Sequence, residues 1–233
     1  MKNILARGGI EFLAVFLGIA LSLWVDSYQK NQELINNNHE ILNRLYQNLE
    51  VDSLDAIWCY KAHKVKPKAA REILEWCDKG QPKSDSISLY ISRLGIGTIF
   101  ANNDEEYIAL ISSGNIRLIE NDALVKALYD YYSTVEYVKY LDKTNDDRVV
   151  HQFIPFMSDY SKYYKWDKRY NVFDFSYLTF FLKSNPPPDK LSFYATMLAD
   201  VSKGIAIQYK SLSTDITKLR NLIREELGDN LFQ

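Results

Sequence analysis

Cysteine, histidine, glycine and charge of one sign are all scarce in this chain of 233 residues, and each scarcity removes a class of function. Two cysteines, Cys59 and Cys77, are too few for a paired CxxC zinc site or a disulfide-dense scaffold. The three histidines, His39, His63 and His151, lie far apart, and none belongs to an H-E-x-x-H array. Nine glycines nowhere gather into a phosphate-cradling loop. Ser112-Ser113-Gly114 lacks the flanking glycine and the strand that a nucleophile elbow needs. With 28 basic against 30 acidic side chains and a net charge of −2, the chain also lacks the basic face and the recognition module of a nucleic-acid binder. Asp147 and His151, four apart on a predicted helix, read as an exposed ion pair rather than a shared metal or proton site. No catalytic motif, no cofactor and no nucleic-acid partner is expected.

What is present is apolar and helical. Hydrophobic residues make up 47% of the chain, with 17 tyrosines and 11 phenylalanines suited to packing between helices. From Phe12 to Val25 (FLAVFLGIALSLWV) there is no charge, and from Ile4 the run is interrupted only by Arg7 and Glu11, about the length a bilayer core needs. Trp24 and Tyr28 at its end suit the headgroup level, as do Lys2 and Arg7 at its start. A secretory signal cleaved near Ala20-Leu21-Ser22 is the competing reading; the unbroken helical period from Asp26 to Pro67 argues for a stalk instead. The chain therefore reads as a transmembrane anchor over 1–28 and a helical soluble domain over 29–233. The slight excess of basic residues before the span places the N-terminus in the cytoplasm and the domain on the outer, periplasmic side of the inner membrane. At 100° per residue Arg7, Glu11, Ala14, Gly18 and Ser22 share one face of the span, a face suited to mating with an identical chain or another membrane protein. The bland alternative leaves Glu11 among headgroups and the small residues incidental.

Beyond the span, Trp24, Tyr28, Asn31, Ile35, Asn38, Leu42, Leu45 and Leu49 recur at alternating four and three. That is a heptad seam, which either joins a parallel oligomer of stalks or packs on the chain's own helices. Pro67 is expected to end this helix in a hairpin, with a second helix to Asp78, Gly80 and Pro82 as its stop, and Cys59 and Cys77 placed side by side. Outside the cytoplasm the two cysteines would then be bonded; otherwise they are two buried thiols. Further helices are expected from Ser84 or Asp85 to Leu94, from Asn103 to a left-handed cap at Gly114, and from Asn121 or Asp122 to a break or bend at Thr144-Asn145. Asp146 opens another to about Tyr164, kinked at Pro155; Trp166 to Phe175 reads as loop and Tyr177 to Leu182 as a short helix. After the stiff Pro186-Pro187-Pro188, three-and-four spacing from Leu191 to Leu227 predicts a helix of about 58 Å, which only the stalk is long enough to cover, antiparallel. The fold class is all-α.

The pattern Glu11-Phe12-Leu13, Gly18-Ile19-Ala20-Leu21 and Asp26, followed by Tyr107-Ile108-Ala109-Leu110-Ile111-Ser112-Ser113-Gly114, Ile119-Glu120-Asn121-Asp122-Ala123-Leu124 and Tyr131-Tyr132, resembles a family of bacterial single-pass membrane proteins of unknown function. Where that family shows an Asn-Asn-Trp-like sequence at the end of the span, this chain has Trp24-Val25-Asp26-Ser27. The resemblance implies membrane anchoring and a helical domain, and it supplies no catalytic residue. A structural or protein-interaction module leads the functional readings, ahead of a ligand-sensing domain and an envelope enzyme.

Overall fold

The structure is a computed structural model that describes residues 2–164 and 180–228, with only the backbone described at 2–11, 14, 163 and 164. Two long helices organise it, α1 (Lys2–Lys64) and the last helix of the chain, α7 (Pro188–Leu227). From Asn38 onward α1 buries every third or fourth residue, with Leu42, Leu45 and Leu49 wholly enclosed. α7 meets this stripe with Tyr209, Leu212, Ile216, Leu219 and Ile223. The helices run antiparallel: Tyr46 accepts from Arg224 Nη2 at 2.7 Å, and His63 lies against Ser202. Arg220 stacks on the same Tyr46 ring at 4.4 Å and reaches Glu50 at 3.2 Å.

Pro67 bends this rod without ending it. α2 (Lys66–Asp78) begins one residue after α1, and Val65 between them keeps helical angles, φ −79° and ψ −23°. The proline falls in the first turn of α2, where a missing N–H costs little. The apolar face of α7 also continues past the bend, so α2 stays on it and no hairpin forms. Gln81 Nε2, just beyond α2, donates to the Pro186 carbonyl at 2.8 Å and ties the far end of the rod to the start of α7.

Shorter elements close the two ends. α3 (Ile87–Leu94) starts after Ser86, and α4 (Glu105–Ser113) stops at Gly114, whose φ of 76° is the left-handed cap expected there. A 3₁₀ turn (Asn115–Leu118) leads to α5 (Asp122–Arg148), whose first turn is capped by Asn121 Oδ1 accepting from the Ala123 and Leu124 amides at 3.0 and 3.2 Å. No break falls at Thr144-Asn145, the first of the two outcomes expected there. The helix runs on, widens to π geometry over Val149–Phe153, and ends as α6 (Ile154–Ser158).

Of the helix expected from Asp146 to about Tyr164 only the end differs, and of the one expected from Tyr177 to Leu182 the described part differs: these stretches are the two strands of a small antiparallel ladder, β1 (Ser161–Tyr164) and β2 (Phe180–Leu182), with Ser161 opposite Leu182. Tertiary demands override the local apolar run: the Phe180 amide donates to Ser92 Oγ at 2.9 Å, and the Phe180 ring meets Phe153 edge-on. The loop expected over Trp166 to Phe175 lies outside the described residues.

Two hydrophobic cores result. The first joins α1, α4, α5 and the C-terminal half of α7; the second joins α2, α3, α6, β2 and the N-terminal half of α7. The fold is all-α apart from the ladder.

Candidate functional site

Two features stand out, one bare and one sealed. The bare one is the first part of α1. Phe12, Leu13, Val15, Phe16, Leu17, Ile19, Leu21, Leu23, Trp24 and Val25 all stand in the open, from 43% exposed at Val25 to 70% at Phe12. They point around the whole circumference, so no partner helix of this chain can account for them. Gly18 has nothing within 4 Å of the position of a Cβ, and Ser22 is exposed, so this part of the small-residue face is uncovered in the single chain. The side chains of Arg7, Glu11 and Ala14 lie outside the described residues. Trp24 stacks on Tyr28 at 5.9 Å, and one turn on Lys30 pairs with Asp26 at 2.7 Å, where polar character begins. Among the described residues no helix is long and apolar enough to cross a membrane. The apolar run read from the sequence takes its opening residues from the part described only as backbone.

The stalk seam divides at the mouth of the bundle. Asn31 is exposed and Ile35 half-buried, whereas Asn38, Leu42 and Leu45 are buried in the chain's own first core. Of the two readings of the seam, Asn38, Leu42 and Leu45 follow the internal one and pack on the chain's own helices, while Asn31 stays in the open. Arg44 marks the same boundary by reaching Glu106 of α4 at 2.7 Å. Cys59 and Cys77 are both free and buried, one in each core. Along the bent rod they are about 27 Å apart at 1.5 Å per residue, so the pairing that a hairpin would have allowed is not made. Burial pushes both thiols up, away from the thiolate form that reacts. His151 and Asp147 are the exposed pair read from the sequence, 3.9 Å apart.

The sealed feature lies where the two cores meet, around the bend at Val65. His63 Nε2 is 2.7 Å from Thr98 Oγ1, and that hydroxyl donates to Asp142 Oδ1 at 2.9 Å. Because the threonine proton goes to the carboxylate, the histidine must donate from Nε2. Its Nδ1 is then the acceptor for Ser202 Oγ, 3.2 Å away. Tyr209 donates to the other carboxylate oxygen of Asp142 and lies parallel to the His63 ring at 6.1 Å, with Phe100 edge-on to it at 5.9 Å. Burial holds His63 below the usual imidazole range, against the opposing pull of Asp142, so the ring is neutral. One residue past the bend lies Lys66, wholly buried, its ammonium reaching Asn145 Oδ1 at 3.4 Å. Nδ2 of Asn145 has no hydrogen-bond partner among the described residues.

A second buried carboxylate, Asp52, ties the first core together. Its Oδ1 accepts from the Asn103 amide at 3.0 Å and Asn103 Nδ2 at 2.9 Å, and its Oδ2 accepts from Tyr131 at 2.7 Å. Asn103, expected to cap α4, is occupied here instead, and the cap position falls to Asp104 without a side-chain bond. Burial raises the Asp52 carboxyl, and the three donors pull it back.

Apart from Asn103, read as a helix cap, none of these polar groups belongs to a sequence motif. The one available signal was phase: Asp142 and Asn145 continue the Val135, Val138 spacing of α5, and Ser202 fills an interior position between Leu198 and Ile205. The network can relay a proton between neutral and charged partners, but His63, Thr98, Ser202 and Lys66 are closed off from solvent. Among the described residues no cluster of His, Cys, Asp and Glu could hold a metal ion. Compared with protein-family models, curated proteins and solved structures, the chain matches none of them.

Proposed function

We propose that this chain is a membrane-anchored helical interaction module, held in the inner membrane by the Ile4 to Val25 part of α1 and presenting its bundle on the periplasmic side. The observation that carries the reading is the apolar helix bare on every side. Fully burying a side chain such as Leu17 or Phe16 contributes about 1.5–3 kcal/mol. Ten such residues left in water favour removal into lipid far more strongly than any single exposed patch on the bundle. Trp24 and Tyr28, stacked at the point where Asp26 and Lys30 begin the polar stalk, supply the boundary that an aromatic anchor occupies at the headgroups. Arg7 and Glu11 supply the corresponding charges in the sequence at the other end.

The partner on this reading is the bilayer first. An identical chain or another membrane protein comes second, meeting the span along Arg7, Glu11, Ala14, Gly18 and Ser22. Alkaline carbonate washing of bacterial membranes containing the full chain tests the anchor. The protein is expected to stay with the lipid, and Leu17→Asp with Ile19→Asp is expected to release it. Extraction of the parent chain by carbonate would sink the proposal. Crosslinking in membranes tests the association: Gly18→Leu is expected to reduce a dimer band, and an unchanged band would leave the span an anchor only.

A further inference from the structure

The charge on one lysine bears on how the two halves of the bundle are joined. Lys66 is the first residue of α2, next to the bend, with the first core on one side and the second on the other. An ammonium group offers three protons. Among the described residues it makes one hydrogen bond, to Asn145 Oδ1, at the long end of hydrogen-bonding distance. Asp142 acts on Lys66 by charge, and each of its two oxygens already accepts a hydrogen bond, from Thr98 and from Tyr209. Asp146 is turned against the loop: a Cβ on Gly97 would lie 2.7 Å from its Oδ1. Among the described residues the pocket gives the three protons of a charged amine one hydrogen bond, to Asn145, and burial favours the neutral form.

The backbone at this place can yield. Pro67 removes the hydrogen bond that would brace the turn across Val65, and the π segment Val149–Phe153 follows Asn145 within one turn on α5. We propose that the Val65 bend is a proton-gated hinge, in which the charge state of Lys66 sets how tightly the α1–α2 rod closes on the end of α5 and on the Gly95 to Phe100 loop. Uncharged, Lys66 lets the two cores abut; charged, it draws water and its carboxylate neighbours inward, and the bend loosens.

Every element around Lys66 contributes to the balance. On α5, Asp142 and Asp146 favour the charged form; on α1, His63 is neutral and opposes it if it gains a proton. From α7, Tyr209 faces the network with its hydroxyl held neutral by burial, and Lys203 stands at the solvent rim beside His63 and Pro67, paired with Asp200 at 2.9 Å. Burial dominates and pushes the Lys66 ammonium down to about 7, so the hinge responds close to neutral pH. His63, held below 6.5, charges only in more acidic solution.

The sign follows from proton binding. An unfolded lysine titrates near 10.5 and the buried one about 7, so between those values the folded state holds fewer protons and stability rises with pH. Below about 7 both states carry the proton and this lysine adds no further slope.

Amide hydrogen exchange of the full chain in detergent, corrected for intrinsic rates, tests the hinge at about pH 6 and about pH 8. Peptides covering Val65 to Ala70 and Gly95 to Phe100 are expected to exchange several-fold faster at the lower value. Lys66→Met is expected to abolish the difference, and His63→Gln to preserve most of it. Equal protection of the parent at both values, or a difference that survives in Lys66→Met, overturns the proposal. Should Lys66→Met fail to fold, the melting temperature of the parent decides: it is expected to climb from about pH 7 to about pH 10, and a flat profile overturns the hinge.

Discussion

At Asp52 a carboxylate sits in an apolar core because three donors meet it, and the cost of removing one donor is predictable. Tyr131→Phe keeps the ring in place and strips Oδ2 of its hydroxyl, 2.7 Å away. Leaving a buried acceptor unsatisfied costs about 1–3 kcal/mol, and urea unfolding should show a loss of that size. Gly114 gives a second single-residue test. Its φ of 76° strains any residue with a Cβ, although open space surrounds the position, so Gly114→Ala should cost about 1 kcal/mol through backbone conformation alone. A loss near zero in the same unfolding measurement would show that α4 ends another way. These two residues were unequally legible. The glycine announces itself locally, between a helical run and a capping Asn121. Asp52, like His63 and Lys66, acquires its role from partners 35 to 139 positions away, a pairing that no short-range pattern encodes.

At the level of elements, periodicity identified α1 and α7 and their antiparallel match, because three-and-four spacing over forty residues has few alternative explanations. It failed at the joints. Pro67 reads locally as a stop, yet in a first helical turn it costs little, and the face of α7 beyond it keeps the rod going. The β1–β2 ladder was read as helix because a short apolar run such as Phe180 to Leu182 carries no period of its own. The same helix offers a paired test of which face is used. Leu49 is fully buried and Leu54 is 66% exposed, both on α1. Leu49→Ala should destabilise by about 2–5 kcal/mol, whereas Leu54→Ala should stay within about 0.5 kcal/mol in either direction. A large loss at Leu54 would mean that a partner covers that face.

At the scale of the whole molecule, the bundle and the bare helix are separable on structural grounds. Among the described residues both hydrophobic cores are built from Ile41 onward, with no core residue in the exposed part of α1. The contacts that clamp the mouth of the bundle, Arg44 to Glu106 and Arg220 and Arg224 on Tyr46, begin well beyond residue 30. A chain lacking residues 1–30 should therefore fold, with a melting temperature within about 2 °C of the parent in detergent, since surface segments outside the core contribute little. On the membrane reading it should also lose all flotation with neutral phospholipid vesicles, while the parent floats. Flotation of both forms would move the lipid contact from α1 to the bundle, and flotation of neither would remove it altogether. Collapse of the shortened chain would mean that the stalk stabilises the bundle through contacts absent from the single chain, which points to assembly through α1. The two measurements are independent, because cores closed by Leu42, Leu45 and Tyr209 do not depend on where Phe16 and Leu17 find shelter.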